Sequence, residues 1–138
     1  MWDNGFKEVY ILDISETVVN DFKKRAPHFP AENIISEDFF THKGKYDLII
    51  EQTFFCAIFP KDRKKYTEKI YELLNPGGKL VGLLFNHEFG NDHPPYGGTK
   101  EEYLEYFNPF FQIIAFSTAY NSIKPRADRE LFINLKKL

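Results

Sequence analysis

At 138 residues, with 43% hydrophobic and 28% charged side chains, the chain has the composition of one compact globular domain, residues 1–138, and not of a disordered, collagen-like or low-complexity segment. Eighteen Lys and Arg against twenty Asp and Glu leave a formal charge of -2, and the basic residues are scattered, which argues against nucleic acid as a partner. A lone cysteine excludes an internal disulfide framework, and with no apolar run of spanning length and no charged-then-apolar leader nothing points to a membrane or to export, so the expected location is the cytoplasm.

Two periodicities alternate along the chain without an internal repeat, the pattern of a largely parallel sheet covered by helices. Val9 to Ile14 reads as a short strand ending at an acid, and Glu16 to Arg25 as a helix with Ser15 as its cap and apolar spacing at Val18, Val19 and Phe22. Asn33 to Ser36 reads as another strand. After a turn at His42-Lys43-Gly44, Tyr46 to Ile50 reads as a buried strand of the fully apolar kind.

Lys61 to Leu74 carries a helical stripe at Tyr66, Ile70, Leu73 and Leu74, stopped by Asn75-Pro76-Gly77-Gly78, and Lys79 to Phe85 follows as a strand. Asn86 to Gly98, with its glycines and Pro-Pro pair, reads as a functional loop. Thr99 and Glu102 have capping-box spacing at the start of a helix to Phe107. Phe111 to Tyr120 and Glu130 to Lys137 are expected to form an antiparallel hairpin closing a sheet edge.

An acid at the C-terminal tip of a strand, as at Asp13, sits where open α/β sheets bind ligands and can accept both hydroxyls of a ribose; equally, it can simply cap the next helix. Asp38, just past the second strand, could accept from an exocyclic amine while a phenylalanine packs on the base, or could mark a surface turn. Cys56 reads as a small buried apolar residue and not as a nucleophile, and the four histidines lack metal-ligand spacing, so no metal is expected.

The run Tyr46 to Pro60, above all Thr53-Phe54-Phe55-Cys56-Ala57-Ile58, together with Asp62-Arg63-Lys64-Lys65-Tyr66, Leu73-Leu74-Asn75-Pro76-Gly77-Gly78 and Pro94-Pro95-Tyr96, resembles the thiopurine S-methyltransferase family and its thiol and halide methyltransferase relatives. The resemblance covers nearly the whole chain. It implies a Rossmann-like α/β class I methyltransferase fold with S-adenosyl-L-methionine as cofactor. On that basis Asp13 holds the ribose, with Ile14 beside it among the cofactor residues, Asp38 and Phe39 border the adenine, Gln52 and Thr53 line the cofactor cleft, and Arg63 stands on its cofactor and substrate side. The bland reading of Arg63 is an exposed helix-start charge. Phe54, Pro95, Tyr96 and Arg126 are the implied acceptor-side residues, and no residue is expected to act as acid, base or nucleophile, Arg63 and Tyr96 contributing by orientation alone. In the family's loop two glycines precede the prolines, where this chain has Asp92 and His93.

In such folds the ribose acid follows a Gly-rich turn by about 20 residues, whereas here only Gly5 precedes Asp13. The expectation is therefore an N-terminally truncated fold lacking the central first strand of the order 3-2-1-4-5-7-6, with weak or no cofactor binding by this chain and a monomer, a weak dimer, or a dimer through open sheet edges. The expected activity is methyl transfer to a small thiol, thiopurine, halide or chalcogen acceptor. Two rivals are an inactive remnant serving as a binding module and an NAD-dependent oxidoreductase.

Overall fold

The computed structural model describes all of residues 1–138, which divide into two compact units, Met1–Lys43 and Gly44–Leu138.

The first unit is a βαβ unit. Strand β1 (Ile11–Leu12) pairs in parallel with β2 (Ile34–Ile35), and helix α1 (Glu16–Arg25) connects them. Both strands are shorter than the sequence pattern indicates. Helix α1 starts where the Ser15 hydroxyl accepts from the Val18 amide at 3.3 Å, and it ends in Lys23, Lys24 and Arg25, whose charges suit the negative end of the helix dipole. Of the apolar positions only Val19 is buried, and Val18 is exposed. Rings supply the remaining core, with Phe29 packed edge-on against Phe22 at 5.2 Å and tilted against Trp2 at 5.4 Å.

The second unit is a four-stranded sheet in the order β3-β4-β6-β5, comprising β3 (Tyr46–Gln52), β4 (Leu74–Phe85), β5 (Phe111–Thr118) and β6 (Glu130–Lys137). β3 and β4 are parallel, β6 is antiparallel to both of its neighbours, and the expected C-terminal hairpin is therefore present. Only β6 runs against the others. Taken with the β1-β2 pair, six strands are present, and the first strand of the seven-strand order has no counterpart among them.

Helices α2 (Arg63–Leu73) and α3 (Lys100–Phe107) cover one face of this sheet. Leu80 and Leu84 of β4 and Leu131, Ile133 and Leu135 of β6 are buried there with Tyr66, Ile70 and Leu73 of α2 and Tyr103 and Phe107 of α3. Each such side chain contributes about 1.5–3 kcal/mol on burial. The two lysines Lys45 and Lys137 close the end of α2, donating to the carbonyls of Glu72 at 2.5 Å and of Tyr71 and Leu74 at 2.7 and 2.8 Å. Cations at that end satisfy carbonyls that have no helical partner.

Two elements depart from the sequence pattern. β3 is not buried on both faces: Leu48 and Ile50 are 45% and 58% exposed, because α2 covers only the face to which β3 turns Glu51. Asn75-Pro76-Gly77-Gly78 ends α2 as expected, yet the chain is already in β4. The pairing steps from Tyr46↔Leu74 to Leu48↔Lys79, so these four residues bulge out, with Gly77 at φ 75.

Gly82 shows how closely the parallel strands approach. A Cβ there would lie 2.0 Å from the carbonyl oxygen of Glu51. Gly82→Ala is expected to lower the unfolding free energy by at least about 2 kcal/mol. Gly90, at φ 92 with open space around it, should cost only about 1 kcal/mol on the same change. Urea denaturation of the two variants checks the ranking.

Candidate functional site

Parallel strands deliver their C-terminal ends to one side of a sheet, and ligands of open α/β sheets bind there. In the first unit, Asp13 directly follows β1 and Asp38 follows β2 by three residues, so the strand pairing brings both acids to the same end. The Asp13 carboxylate accepts from the Ser15 amide at 2.8 Å, and its own amide donates to the Ile35 carbonyl at 3.0 Å. The Asp38 carboxylate accepts from the Phe40 amide at 2.8 Å and opens the short 3-10 turn Phe39–Thr41. Each acid thus makes the local turn bond, with one of its two oxygens. Ile14 is exposed and Phe39 half-buried.

In the second unit the corresponding end is built by the turn after β3 and the loop after β4. Gln52 and Thr53 are exposed, and the Thr53 hydroxyl donates to the Gln52 carbonyl at 2.6 Å. Thr53 has φ 62, a left-handed conformation that costs a β-branched residue about 1–3 kcal/mol. Glu51 holds this turn from below. One carboxylate oxygen accepts from the amides of Phe54 and Phe55, both at 2.9 Å, and the other accepts from the Tyr66 hydroxyl at 2.5 Å. Glu51 is 4% exposed, and burial pushes its carboxyl up from the usual range, with the three hydrogen bonds only partly opposing that rise.

Thr53, Phe55 and Cys56 line a cavity of about 10 Å³ together with Leu83, Leu84, Phe85, Tyr103 and Glu130, roughly the space of one water. Cys56 donates its thiol to the Thr53 carbonyl at 3.3 Å. Burial, and then the Glu51 charge, push that thiol above its ordinary range. Burial likewise raises Tyr103. Arg126 stands beside it, its guanidinium 5.4 Å over the Phe85 ring and 3.8 Å from the Glu130 carboxylate.

Arg63 is not an exposed helix-start charge. It is 1% exposed, on the same face of α2 as Tyr66, Thr67 and Ile70. It donates to Glu102 at 2.9 Å, to the Gly97 carbonyl at 2.7 Å and to the Tyr96 carbonyl at 3.3 Å, and it lies over the rings of Phe55 at 4.8 Å and Tyr103 at 5.4 Å. Glu102 therefore does not close the capping box: Thr99 accepts from its amide at 3.3 Å, but its carboxylate goes to Arg63. Tyr96, expected as a ring over the acceptor pocket, is 3% exposed. It packs on Phe59 at 5.5 Å, and its amide donates to the Cys56 carbonyl at 2.7 Å. Pro94 and Pro95 are exposed and joined by a cis peptide bond. Phe54 is half-buried, its ring 6.3 Å from that of Tyr66.

The second unit therefore brings Gln52, Thr53, Phe54, Arg63 and Tyr96 into one turn-and-loop network, with Arg126 flanking the cavity. Four residues of that network, Glu51, Tyr66, Glu102 and Glu130, were not among the residues expected at the site. For Glu51 the signal was present, an acid closing an otherwise apolar strand as Asp13 does; for Tyr66 it was helical spacing from Arg63.

This arrangement of strands and strand-end acids defines the Rossmann-like fold of class I S-adenosylmethionine-dependent methyltransferases. The PH0226 protein of Pyrococcus horikoshii OT3 matches it with a TM-score of 0.77 at 16% identity, over 99% of this chain and 74% of that one. The N-methyltransferase NodS of Bradyrhizobium japonicum WM9, solved with S-adenosyl-L-homocysteine, matches with a TM-score of 0.73 at 12% identity, over 95% and 67%. At such identities the likeness is one of fold. Within that class the chain belongs to the thiopurine S-methyltransferase family, whose model matches residues 4–134. It is 34% identical to probable thiol methyltransferase 2 of Arabidopsis thaliana, over 95% of this chain and 61% of that protein. It is 30% identical to thiocyanate methyltransferase 1 of Brassica oleracea, over 92% and 59%. The chain thus spans about three-fifths of the length of these curated relatives.

Two outcomes follow from the buried charges. Arg63→Met should lower stability by about 3 kcal/mol, since it strips a buried donor from three acceptors, and should speed proteolysis within residues 86–99; denaturant titration and a protease time course measure both. Glu51 gives a pH signature. A carboxyl raised in the folded state stabilises below its unfolded value of 4.5, and that contribution is lost as pH rises through the folded value. The stability of the wild type relative to Glu51→Gln should accordingly fall as pH rises above 4.5, by about 1.4 kcal/mol for each unit of the rise, as read from urea denaturation at several pH values.

Proposed function

We propose that this chain carries the S-adenosylmethionine and acceptor residues of a methyltransferase for small thiols, thiopurines, halides or chalcogen anions. The observation that carries the reading is the strained Thr53 turn, which walls a cavity at the C-terminal ends of β3 and β4 within the segment most like the family's own. The relatives' names, thiol and thiocyanate methyltransferase, point to soft sulfur acceptors.

The donor set fits the cofactor. Asp13 and Asp38 have carboxylate oxygens beyond those in their turns, suited to ribose hydroxyls and an exocyclic amine, and Ile14 and half-buried Phe39 supply apolar surface beside them. In the second unit, taken by itself, the exposed Gln52 and Thr53 at the end of β3 are the cofactor-side residues that the family resemblance implies. When bound, S-adenosylmethionine supplies an electrophilic methyl group for in-line transfer to the acceptor.

What this chain's residues do for the reaction is bind, orient and exclude water. A thiolate or halide is a strong nucleophile as it arrives, so the site needs no general base. The raised Cys56 and Tyr103 and the fully engaged Glu51 accord with that. Arg63 acts here through Tyr96 and Gly97, fixing the loop after β4, and not by touching the acceptor. Arg126, at the cavity's flank, is the cation placed to attract an anionic acceptor, with Phe54, Pro95 and Tyr96 on the acceptor side. We further propose a small-molecule acceptor as the partner, with the chain acting as a monomer or weak dimer.

Labelled methyl transfer tests this reading. With S-adenosylmethionine at millimolar concentration, so that weak binding is still saturated, methyl should appear on thiocyanate, iodide or a small thiol and not on amines. It should drop at least about tenfold in Arg126→Gln for the anions. No transfer to any of these acceptors would end the assignment.

A further inference from the structure

The turn after β3 is held by one side chain that the family resemblance does not single out. Thr53 adopts φ 62, and a β-branched residue stays there only when its surroundings over-determine it. The side chain that accepts from the amides that follow is Glu51: its carboxylate takes the Phe54 and Phe55 amides at 2.9 Å each and the Tyr66 hydroxyl at 2.5 Å. Two consecutive amides pointing at one oxygen fix the chain direction, and the tyrosine from α2 fixes the carboxylate. The held segment continues as a 3-10 turn, with the Ala57 amide donating to Phe54 at 3.0 Å and the Ile58 amide to Phe55 at 3.2 Å. Cys56 in the same turn presents its carbonyl to the Tyr96 amide at 2.7 Å, so the loop after β4 takes its place from this turn as well. The titratable groups around Glu51 are the Tyr66 hydroxyl and the Cys56 thiol, with Arg63 and Tyr103 packed on the neighbouring Phe55 ring.

We propose that Glu51 is a positioning residue for methyl transfer: through two amides and Tyr66 it locks the Thr53–Ile58 turn in the one conformation that walls the cavity with Thr53, Phe55 and Cys56. The proposal rests on the functional reading above for its catalytic half, and on geometry alone for its structural half. A buried ionisable group is an expensive way merely to fill the core, since an apolar side chain of similar size does that at less cost. The feature that needs an acceptor oxygen here is the pair of amides, from which no apolar side chain can accept.

The test compares Glu51→Ala, Glu51→Gln and Tyr66→Phe in the full chain by amide hydrogen exchange and by methyl transfer. The informative amides are Ala57 and Ile58, which do not bond to Glu51 and so report the turn and not the trivial loss of an acceptor. Glu51→Ala should speed their exchange about tenfold relative to Leu80 and Ile133 in the sheet, the size expected from losing charge-assisted bonds. Tyr66→Phe should speed it about threefold, and Glu51→Gln, which keeps an acceptor oxygen, should restore it to within about threefold of wild type. kcat should fall in the same order with the acceptor KM nearly unchanged. The proposal is overturned if Ala57 and Ile58 keep their protection in both Glu51→Ala and Tyr66→Phe. It is overturned equally if Leu80 and Ile133 lose protection in step with them in both variants, if Gln restores nothing, or if kcat holds while the turn loosens. Absence of transfer by the wild type would instead contradict the functional reading, and the exchange comparison would still decide whether Glu51 holds the turn.

Discussion

A guanidinium taken out of water must find acceptors, and in this protein the acceptors of Arg63 come from segments far apart in the chain. Glu102 belongs to α3, and the carbonyls of Tyr96 and Gly97 belong to the loop after β4. Burial of one cation on the inner face of α2 thereby ties a long irregular loop and the helix α3 to α2 within the second unit. The loop's other ties are the His87↔Gly98 bridge, the Asn86 amide on the Arg129 carbonyl, the Tyr96 amide bond and the Tyr96–Phe59 ring contact. Glu51 applies the same constraint with opposite sign. Both charges reach the Phe55 segment, one through its ring and the other through its amide, so the turn that carries the family's most specific residues is fixed by paired polar groups as well as by packing.

The chain direction of the strands explains why chemistry gathers at these segments. β3 and β4 run parallel, and β6, running the other way, starts where β4 ends, with Glu130 opposite Phe85. One end of the sheet therefore collects the Thr53 turn, the loop after β4 and the acid that begins β6. In the first unit the same parallel logic brings Asp13 and Asp38 to a common end of β1 and β2.

Much of this was legible in the sequence because local signals agree with the final structure. Ser15 and Thr99 cap their helices, α1 spans the expected residues, and β6 runs from Glu130 to Lys137. What was not legible depends on partners distant in sequence. The apolar letters of Tyr46 to Ile50 gave no sign that β3 is a sheet edge with Leu48 and Ile50 exposed. Glu102 at capping distance from Thr99 looked committed to the helix start, and only the folded chain shows Arg63 competing for it. Arg63 and Tyr96 were expected to face ligand; Arg63 faces the protein's own carbonyls, and Tyr96 packs on Phe59. Glu51 went unremarked because an acid at a strand end looks alike whether it meets solvent, a ligand or two backbone amides.

The central claim is that the strand-end residues of this chain bind an adenosine-bearing methyl donor. Backbone nuclear magnetic resonance during titration with S-adenosyl-L-homocysteine tests it most directly, because even weak binding moves the resonances of the residues in contact. The account predicts shifts concentrated at the strand-end residues Asp13, Ile14, Asp38 and Phe39 of the first unit. Shifts confined to other segments, or none at millimolar ligand, would contradict it.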